Sequence, residues 1–574
     1  GRRYLEARAM HLASSPRQRE ADTGARVLSF AYASLVLQEE RMTFLGDMVK
    51  TVAGRVAMME RGLGLVLGNN SENGQGKSEQ EIEDGRELPL AHGLIQALRL
   101  IVEFDRTAGN EGNLSQSEEK NVNDLFEKMA LICCQSIEVS LKVVADVKEG
   151  ETIDGLESEI STPKKDSCGQ APLNVNTGAI GANGMFSSVK AGDGEEERRR
   201  FAMQRVIVGS WLLTKEACAM LATTIADRRY QASSPLVERT GSLLISTLTS
   251  LKHQGAAFAA HKALQKIATS CSNCSREATI MQMPSKWTQR LLHEISSTEK
   301  VRDSTLRRST GYGLGFLSIM RSEPPTSVAP RTLCPFILAN LIKIALPPEG
   351  EMEVFMKRFD FHTPTTSTPA SPFSYSGLLG SGSSRELYTA DANYESRSRV
   401  HALNILRLII LDAPLAAEVA NFVGDAIMAS ILGYNDSSWA VRNSATMVFA
   451  AAMLRVVDAD KNANRKDLTS GNAITANELF RIYPVLSPFL VSVMQEGVND
   501  MKGISITPQG AMSLRMIHPP LYPILLLLSR LQPVSGGTEE VTGPFVGIVL
   551  ESLHHNHHKV RVVASRALAN ICSG

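Results

Sequence analysis

The feature that most constrains this chain is a succession of one-sided apolar stripes at helical spacing, with almost no strand signal anywhere. It is clearest over residues 396–457. Val400, Leu403, Leu406 and Ile410 fall on one face of a first helix. Leu415, Val419, Phe422, Val423 and Ile427 do the same in a second, at the i, i+4, i+7, i+8 spacing of a buried stripe. Asp412 is placed to cap that second helix, with Pro414 in its first turn and Gly433 ending it. Asp436, Ser437 and Ser438 offer caps for a third, on which Val441, Ala445, Val448 and Ala452 line up. A helix apolar on one side only is not stable alone. These helices have to stack.

The stack reads as a repeat. Val441-Arg442-x-x-Ala445 is echoed 119 residues later by Val560-Arg561-x-x-Ala564, and Val400 opens an equivalent helix 41 residues before Val441. Units of about 40 residues are the length of HEAT and armadillo repeats. The small Ala lets paired helices approach, while the intervening Arg is expected at the edge, bonding neighbouring loops. Trp439 and Asn443 complete this structural motif with Val441, Arg442 and Ala445. The predicted fold class is therefore all-α, a HEAT/armadillo-like helical-repeat solenoid with disordered insertions. A non-repeating helical bundle is the alternative.

A chain of 574 residues exceeds what one hydrophobic core supports, which a repeat array or several domains would explain. Hydrophobic residues are 43% and aromatics 5%, a balance suited to stacked helices rather than β-sandwiches. Lys+Arg and Asp+Glu are both 60, so no global basic field draws phosphates and any nucleic-acid contact must come from a local patch. The eight cysteines are scattered, mostly in helical apolar contexts, which is intracellular usage, and a cytoplasmic location is expected. The start lacks a signal-peptide pattern. The apolar run Ile524 to Leu528 falls far short of the ~20 residues needed to cross a bilayer, so no membrane role is expected. The first residue is Gly1, and the last helix ends in ALANICSG without a stacking partner, as in a piece of something longer.

Along the chain, residues 1–147 read as N-terminal helical repeats broken by a polar loop at 69–90. Residues 148–194 are Gly/Ser/Asn/Lys-rich without periodicity, a disordered insertion. Helical repeats resume over 195–347, a Thr/Ser/Pro/Gly linker occupies 361–393, and HEAT-like repeats fill 394–574 around a polar loop at 458–473.

Motifs that suggest chemistry are few. Gly311-x-Gly313-x-Gly315 is spaced like a cofactor loop, but a strand would have to end just before it and VRDSTLRRST is no strand. A kink between helices is the expected role. Cys271-x-x-Cys274 lacks a second Cys or His pair at zinc spacing, and His554, His555, His557 and His558 sit in a turn before the second Val-Arg-x-x-Ala helix. No catalytic triad, paired carboxylates or Walker motif emerges, so no cofactor, no metal and no catalysis are expected. Arg307-Arg308 stands apart. Two adjacent guanidinium groups beside Ser309 and Gly311 would place bidentate donors for phosphate or carboxylate at a helix junction. A structural arginine bonding helix-end carbonyls is the competing reading.

HALNILRLIILD, SSWAVRNSATMVFAAAMLR, FRIYPVLSPFL and HPPLYPILLLLSRLQP resemble, in order, the DUF2428 region and its continuation in the THADA/Trm732 family. Upstream, SWLLTKEACAMLATTI looks like that family's tryptophan-arginine-x-x-lysine-glutamate helix, with Leu213 near the usual arginine. LKHQGAAFAAHKALQKI is similar to its arginine-histidine-x-glycine-alanine-phenylalanine helix. Residues 307–313 resemble its RRSAGLP motif: Arg307, Arg308, Ser309 and Gly311 are retained, whereas Thr310, Tyr312 and Gly313 replace Ala, Leu and Pro. The resemblance runs from about Arg198 to the end. It implies a non-catalytic partner of an FtsJ/Trm7-type 2'-O-methyltransferase, directing it to ribose 32 of the tRNA anticodon loop. The four retained residues would help position the tRNA or the methyltransferase. A general interaction scaffold without an RNA role and a stand-alone methyltransferase are the competing classes.

Overall fold

The computed structural model describes residues 2–67, 91–107, 116–150, 195–227, 230–251, 253–274, 277–296, 309–324, 331–347, 392–456, 474–502, 518–532 and 539–572. The expected loop at 69–90 and the loop at 458–473 lie outside the described residues. So do the insertion and the linker, apart from residues 148–150 and 392–393, which are helical. All other regular structure among the described residues is helical too, and one isolated bridge, Thr475 with Gln532, is the nearest approach to a sheet. The fold is all-α and of the helical-repeat class, in two compact units, 1–287 and 288–574.

The first unit holds α1 (Arg2–Ala13), α2 (Gln18–Ala33), α3 (Gln38–Leu67), α4 (His92–Thr107), α5 (Gln116–Gly150), α6 (Glu195–Ile225), α7 (Ser234–Ser250), α8 (Gln254–Ser272), the single turn α9 (Ala278–Met281) and the start of α10 (Met283–Ser296). Helices α2, α4, α6 and α8 pack side by side in one layer, with α3, α5 and α7 in a second. The apolar face of each supplies the core between them, as with Leu94, Ile95, Leu98 and Ile101 of α4. At Gly241 the approach is so close that an added Cβ would lie 2.0 Å from the Trp287 ring, so no larger residue fits there. Within α6, Val206–Ile225 is long and apolar enough by length and composition to cross a membrane. It is instead mostly buried against α4, α5 and α8, and a helix apolar most of the way round is what such a core position demands. Lys215 and Glu216 interrupt its apolar run, which is why counting consecutive apolar residues passes over it.

The second unit contains the rest of α10, then α11 (Ser309–Met320), α12 (Leu333–Ala345), α13 (Ala392–Ile410), α14 (Ala416–Ala420), α15 (Val423–Gly433), α16 (Trp439–Val456), α17 (Ala476–Ile482), α18 (Leu486–Lys502), α19 (Leu521–Leu528), α20 (Glu539–Ser552) and α21 (His558–Cys572). Helix α13 packs on α11, α12 and α16; α15 packs on α16; α18 joins α15 to α19 and α20. The first and third stripes are buried as their spacing requires: Val400, Leu403, Leu406 and Ile410 on α13, and Val441, Ala445, Val448 and Ala452 on α16. Each large aliphatic so buried contributes about 1.5–3 kcal/mol.

The second stripe departs from expectation. Its five residues are buried, yet they do not share one helix: a 3-10 turn over Ala413–Leu415 leads into five-residue α14, and the chain breaks at Asn421 and Phe422 before α15. Tyr483, 63 residues away, donates its hydroxyl to the Ala420 carbonyl at 2.6 Å and so satisfies an acceptor at the break. Asp412 makes no side-chain cap bond; it pairs with Arg321 instead. Gly433 does end α15.

The repeated Val-Arg-x-x-Ala motif has one geometry in both copies. Arg442 Nη1 donates to the carbonyls of Asp436 (2.7 Å) and Ser437 (2.8 Å); Arg561 Nη1 donates to those of His555 and Asn556, both at 2.9 Å. In the first turn Asp436 Oδ1 accepts the Ser438 N–H at 2.7 Å, and in the second His555 Nδ1 accepts the His557 N–H at 2.9 Å. One arginine thus clamps the turn that starts its own helix. A histidine can stand where the other copy has an aspartate because both offer a short-range acceptor. A capping box at Thr475-x-x-Glu478 starts α17.

Candidate functional site

Residues 309–324 carry the described part of the double-arginine motif. Arg307 and Arg308 lie outside the described residues; Ser309 is the first residue of α11 and Gly311 is buried in its first turn. Gly311, Gly313 and Gly315 do not form a kink between helices. They lie inside α11, where glycine costs helix stability but lets backbone approach a neighbour. At Gly313 an added Cβ would sit 2.4 Å from Leu408 Cδ1 on α13. Tyr312 packs edge-on to His401 of the same helix, ring centroids 5.6 Å apart, and both are buried. Tyr312 and Gly313 therefore serve the α11–α13 contact.

The far end of α11 is anchored as firmly. Arg321, just past its last turn, forms an ion pair with the buried carboxylate of Asp412. Arg455, near the end of α16, donates to the carbonyls of Ile410 and Asp412, so three segments meet at this point. Glu323 then caps α12, accepting the backbone N–H groups of Thr332 (2.9 Å), Leu333 (3.0 Å) and Cys334 (3.0 Å). The first turn of α11 carries no acidic side chain, so nothing there offsets the positive end of its dipole. Two arginines precede that end directly in sequence.

The other candidates separate by environment. Val441 and Ala445 are core, Arg442 clamps its turn, and Trp439, 69% exposed, lies on the solvent side with Asn443. Cys271 ends α8 with its thiol pushed up to about 12 by burial and by Cys274 beside it, which leaves it protonated and unreactive. Among the described residues no three His, Cys, Asp or Glu side chains come together as a metal cage. The Trp-x-x-x-Lys-Glu and His-x-Gly-Ala segments do meet: Trp211 of α6 stacks on His253, the cap of α8, at 4.2 Å and 15°, and Lys215 lowers the His253 pKa after burial has done so. That pairing is tertiary, and the sequence holds no signal for it.

Two buried histidines make a pH prediction. Burial, with Lys215 second, lowers His92 to about 4; burial, with Arg397 second, does the same to His401. Both are neutral when folded, and each protonates near 6.5 once unfolded. Their stabilisation is complete above pH 6.5 and is lost as pH falls from 6.5 towards 4, on the order of 3 kcal/mol for each histidine. Urea melts between pH 7.5 and 4.5 are expected to show the loss, and His92→Leu and His401→Leu each to flatten it. A midpoint that does not move over that range would refute it.

The chain matches two family models, "THADA/TRM732, DUF2428" over residues 124–440 and "Trm732, C-terminal TPR repeats" over residues 442–574. The second model describes the C-terminal repeats as TPR rather than HEAT, both being stacked helical pairs. Among curated relatives, "tRNA (32-2'-O)-methyltransferase regulator THADA" of Gallus gallus is 27% identical over 64% of this chain. The human protein of that name is 25% identical over 64%, and "tRNA (32-2'-O)-methyltransferase regulator trm732" of Schizosaccharomyces pombe is 22% identical over 74%. The chain spans 17%, 17% and 24% of their respective lengths.

Proposed function

The chain belongs to the THADA/TRM732 family, and on that premise we propose that it is a non-catalytic helical scaffold of a tRNA methylation complex. It holds an FtsJ/Trm7-type methyltransferase and a tRNA together in the cytoplasm, so that the enzyme methylates the 2'-hydroxyl of ribose 32 in the anticodon loop. The family match over residues 124–440 carries this reading, since relatives that share it are named regulators of that methylation.

The local chemistry agrees. Arg307 and Arg308 directly precede the positive end of a helix fixed by Tyr312, Gly313 and Arg321. Two arginines directly before a helix N-terminus in sequence would suit an anion, here a phosphate of the tRNA backbone or a carboxylate of the enzyme. Phosphate contacts set register without reading sequence. Bases of the single-stranded anticodon loop supply the specificity.

The test is reconstitution. Mixed with an FtsJ-type methyltransferase and a tRNA transcript, the chain is expected to co-elute with both on size exclusion. Methyl transfer from S-adenosylmethionine to ribose 32 should then require chain and enzyme together. A chain that binds S-adenosylmethionine by itself in calorimetry, or an enzyme equally active without the chain, would overturn the reading.

A further inference from the structure

Helix α16 is short of charge on its outer side as well as its inner one. Its exposed residues are Trp439, Asn443, Thr446, Met447, Ala450 and Leu454, and at 3.6 residues per turn they fall on a single stripe. None of the six carries a charge. The charged residues of the helix, Arg442 and Arg455, are both spent on backbone carbonyls. Thr446 donates its hydroxyl to the Arg442 carbonyl at 2.9 Å, so its polar demand is met within the helix. Leu454 is 50% exposed. Leu411, also exposed, is brought to the same end because Arg455 bonds the carbonyls on either side of it. An exposed surface of this kind marks an interface.

The fold itself does not require it. Helix α21 carries the second Val-Arg-x-x-Ala motif in the same geometry. At the places where α16 exposes Trp439, Thr446 and Met447, α21 exposes His558, Ser565 and Arg566. The outer side of such a helix therefore tolerates polar and charged residues, and α16 is apolar there for another reason.

The stripe is matched to itself. Laid antiparallel on a second α16, it sets Trp439 opposite Leu454, Asn443 opposite Ala450 and Thr446 opposite Met447. Each large ring meets a leucine, and Ala450 leaves room for the Asn443 amide. A twofold contact brings each central residue close to its own copy, so a charge there repels itself. Helix α16 has no charge at its centre, whereas the same arrangement of α21 would bring Arg566 against Arg566. We infer that this stripe is the interface of a symmetric homodimer, with the twofold axis passing between Thr446 and Met447. The stripe is about 22 Å long, which is small for a specific interface and makes the dimer a weak one. Lacking cations, it offers nothing to the phosphates of an RNA.

Sedimentation velocity of the full chain from about 1 to 100 μM tests it. The average mass is expected to rise with concentration towards that of two chains. Trp439→Ala should weaken association about 30-fold, the loss of one central aromatic anchor. Met447→Arg and Met447→Glu should each keep the chain monomeric, and an equimolar mixture of the two should regain the dimer, because opposite charges then face each other across the axis. Thermal melts of Met447→Arg should match the parent, since α21 already carries an arginine at that place. A parent that stays monomeric, a Met447→Arg variant that associates as the parent does, or a mixture that fails to pair would overturn the inference. So would a monomeric parent whose co-elution with the methyltransferase is lost in Met447→Arg, since the stripe would then be the enzyme's docking surface. Self-association is read without enzyme or tRNA, so it can stand or fall apart from the role in methylation.

Discussion

Replacing Asp436 with alanine is expected to destabilise the second unit by about 3–5 kcal/mol, the cost of removing one partner from a buried ion pair. Asp436 pairs with Arg399 of α13, and both side chains are more than nine-tenths shielded from solvent. Arg399 also donates through Nε to the Ala345 carbonyl at the end of α12, at 3.2 Å, and its Nη2 has no partner in place. Without the carboxylate, a guanidinium is left charged inside the protein with one hydrogen bond remaining. Asp436→Ala also removes the 2.7 Å acceptor for the Ser438 N–H at the start of α16, a further loss of about 1 kcal/mol. Urea unfolding of the variant measures the sum. A double change, Arg399→Met with Asp436→Leu, should recover most of it, because the desolvation of both charges disappears along with their attraction. A single-variant loss below about 1 kcal/mol would show that water reaches Arg399.

The same residues show what the sequence could reveal. Every side chain that the stripe spacing named within 396–457 is buried, because a 3.6-residue period reports on the side that meets the core. Helix α15, however, is buried nearly all round, and a one-sided stripe does not report that. It could not report continuity. The stripe from Leu415 to Ile427 runs through a helix break, held by a tyrosine hydroxyl from 63 residues away. Local pattern likewise marked Asp436 and Asp412 as caps. Asp436 does accept a turn N–H, but its charge goes to Arg399, and that of Asp412 goes to Arg321, 91 residues before it. Such pairs are set by which helices stack, and one sequence contains no term for that. The kink expected at Gly311–Gly315 fails for a related reason: glycine marks either a bend or a close approach, and at Gly313 it is Leu408 on the neighbouring helix that decides between them.

Changing Arg307 and Arg308 together to alanine is expected to lower methylation of ribose 32 by the reconstituted complex about tenfold to a hundredfold. That is the effect of losing charge-assisted hydrogen bonds worth about 1.5–3 kcal/mol. The fold should survive, since α11 is held by Tyr312 on His401, Gly313 on Leu408 and Arg321 on Asp412, all downstream of the substitutions. The competing role is concrete in this chain: Arg399, Arg442, Arg455 and Arg561 all bond backbone carbonyls, and Arg307 and Arg308 would be two more of the same kind. The two roles separate in the melting curve. A carbonyl clamp lost in the double variant lowers the midpoint and reduces methylation only in proportion to the unfolded fraction. A positioning pair leaves the midpoint in place and lowers kcat/KM. Changing both to lysine sharpens the distinction, because lysine keeps the charge but not the two-pronged donor, and activity should fall between parent and alanine variant. Parental methylation by a well-folded double alanine variant would remove these arginines from the site and leave Ser309 and Gly311 as the ordinary start of a helix.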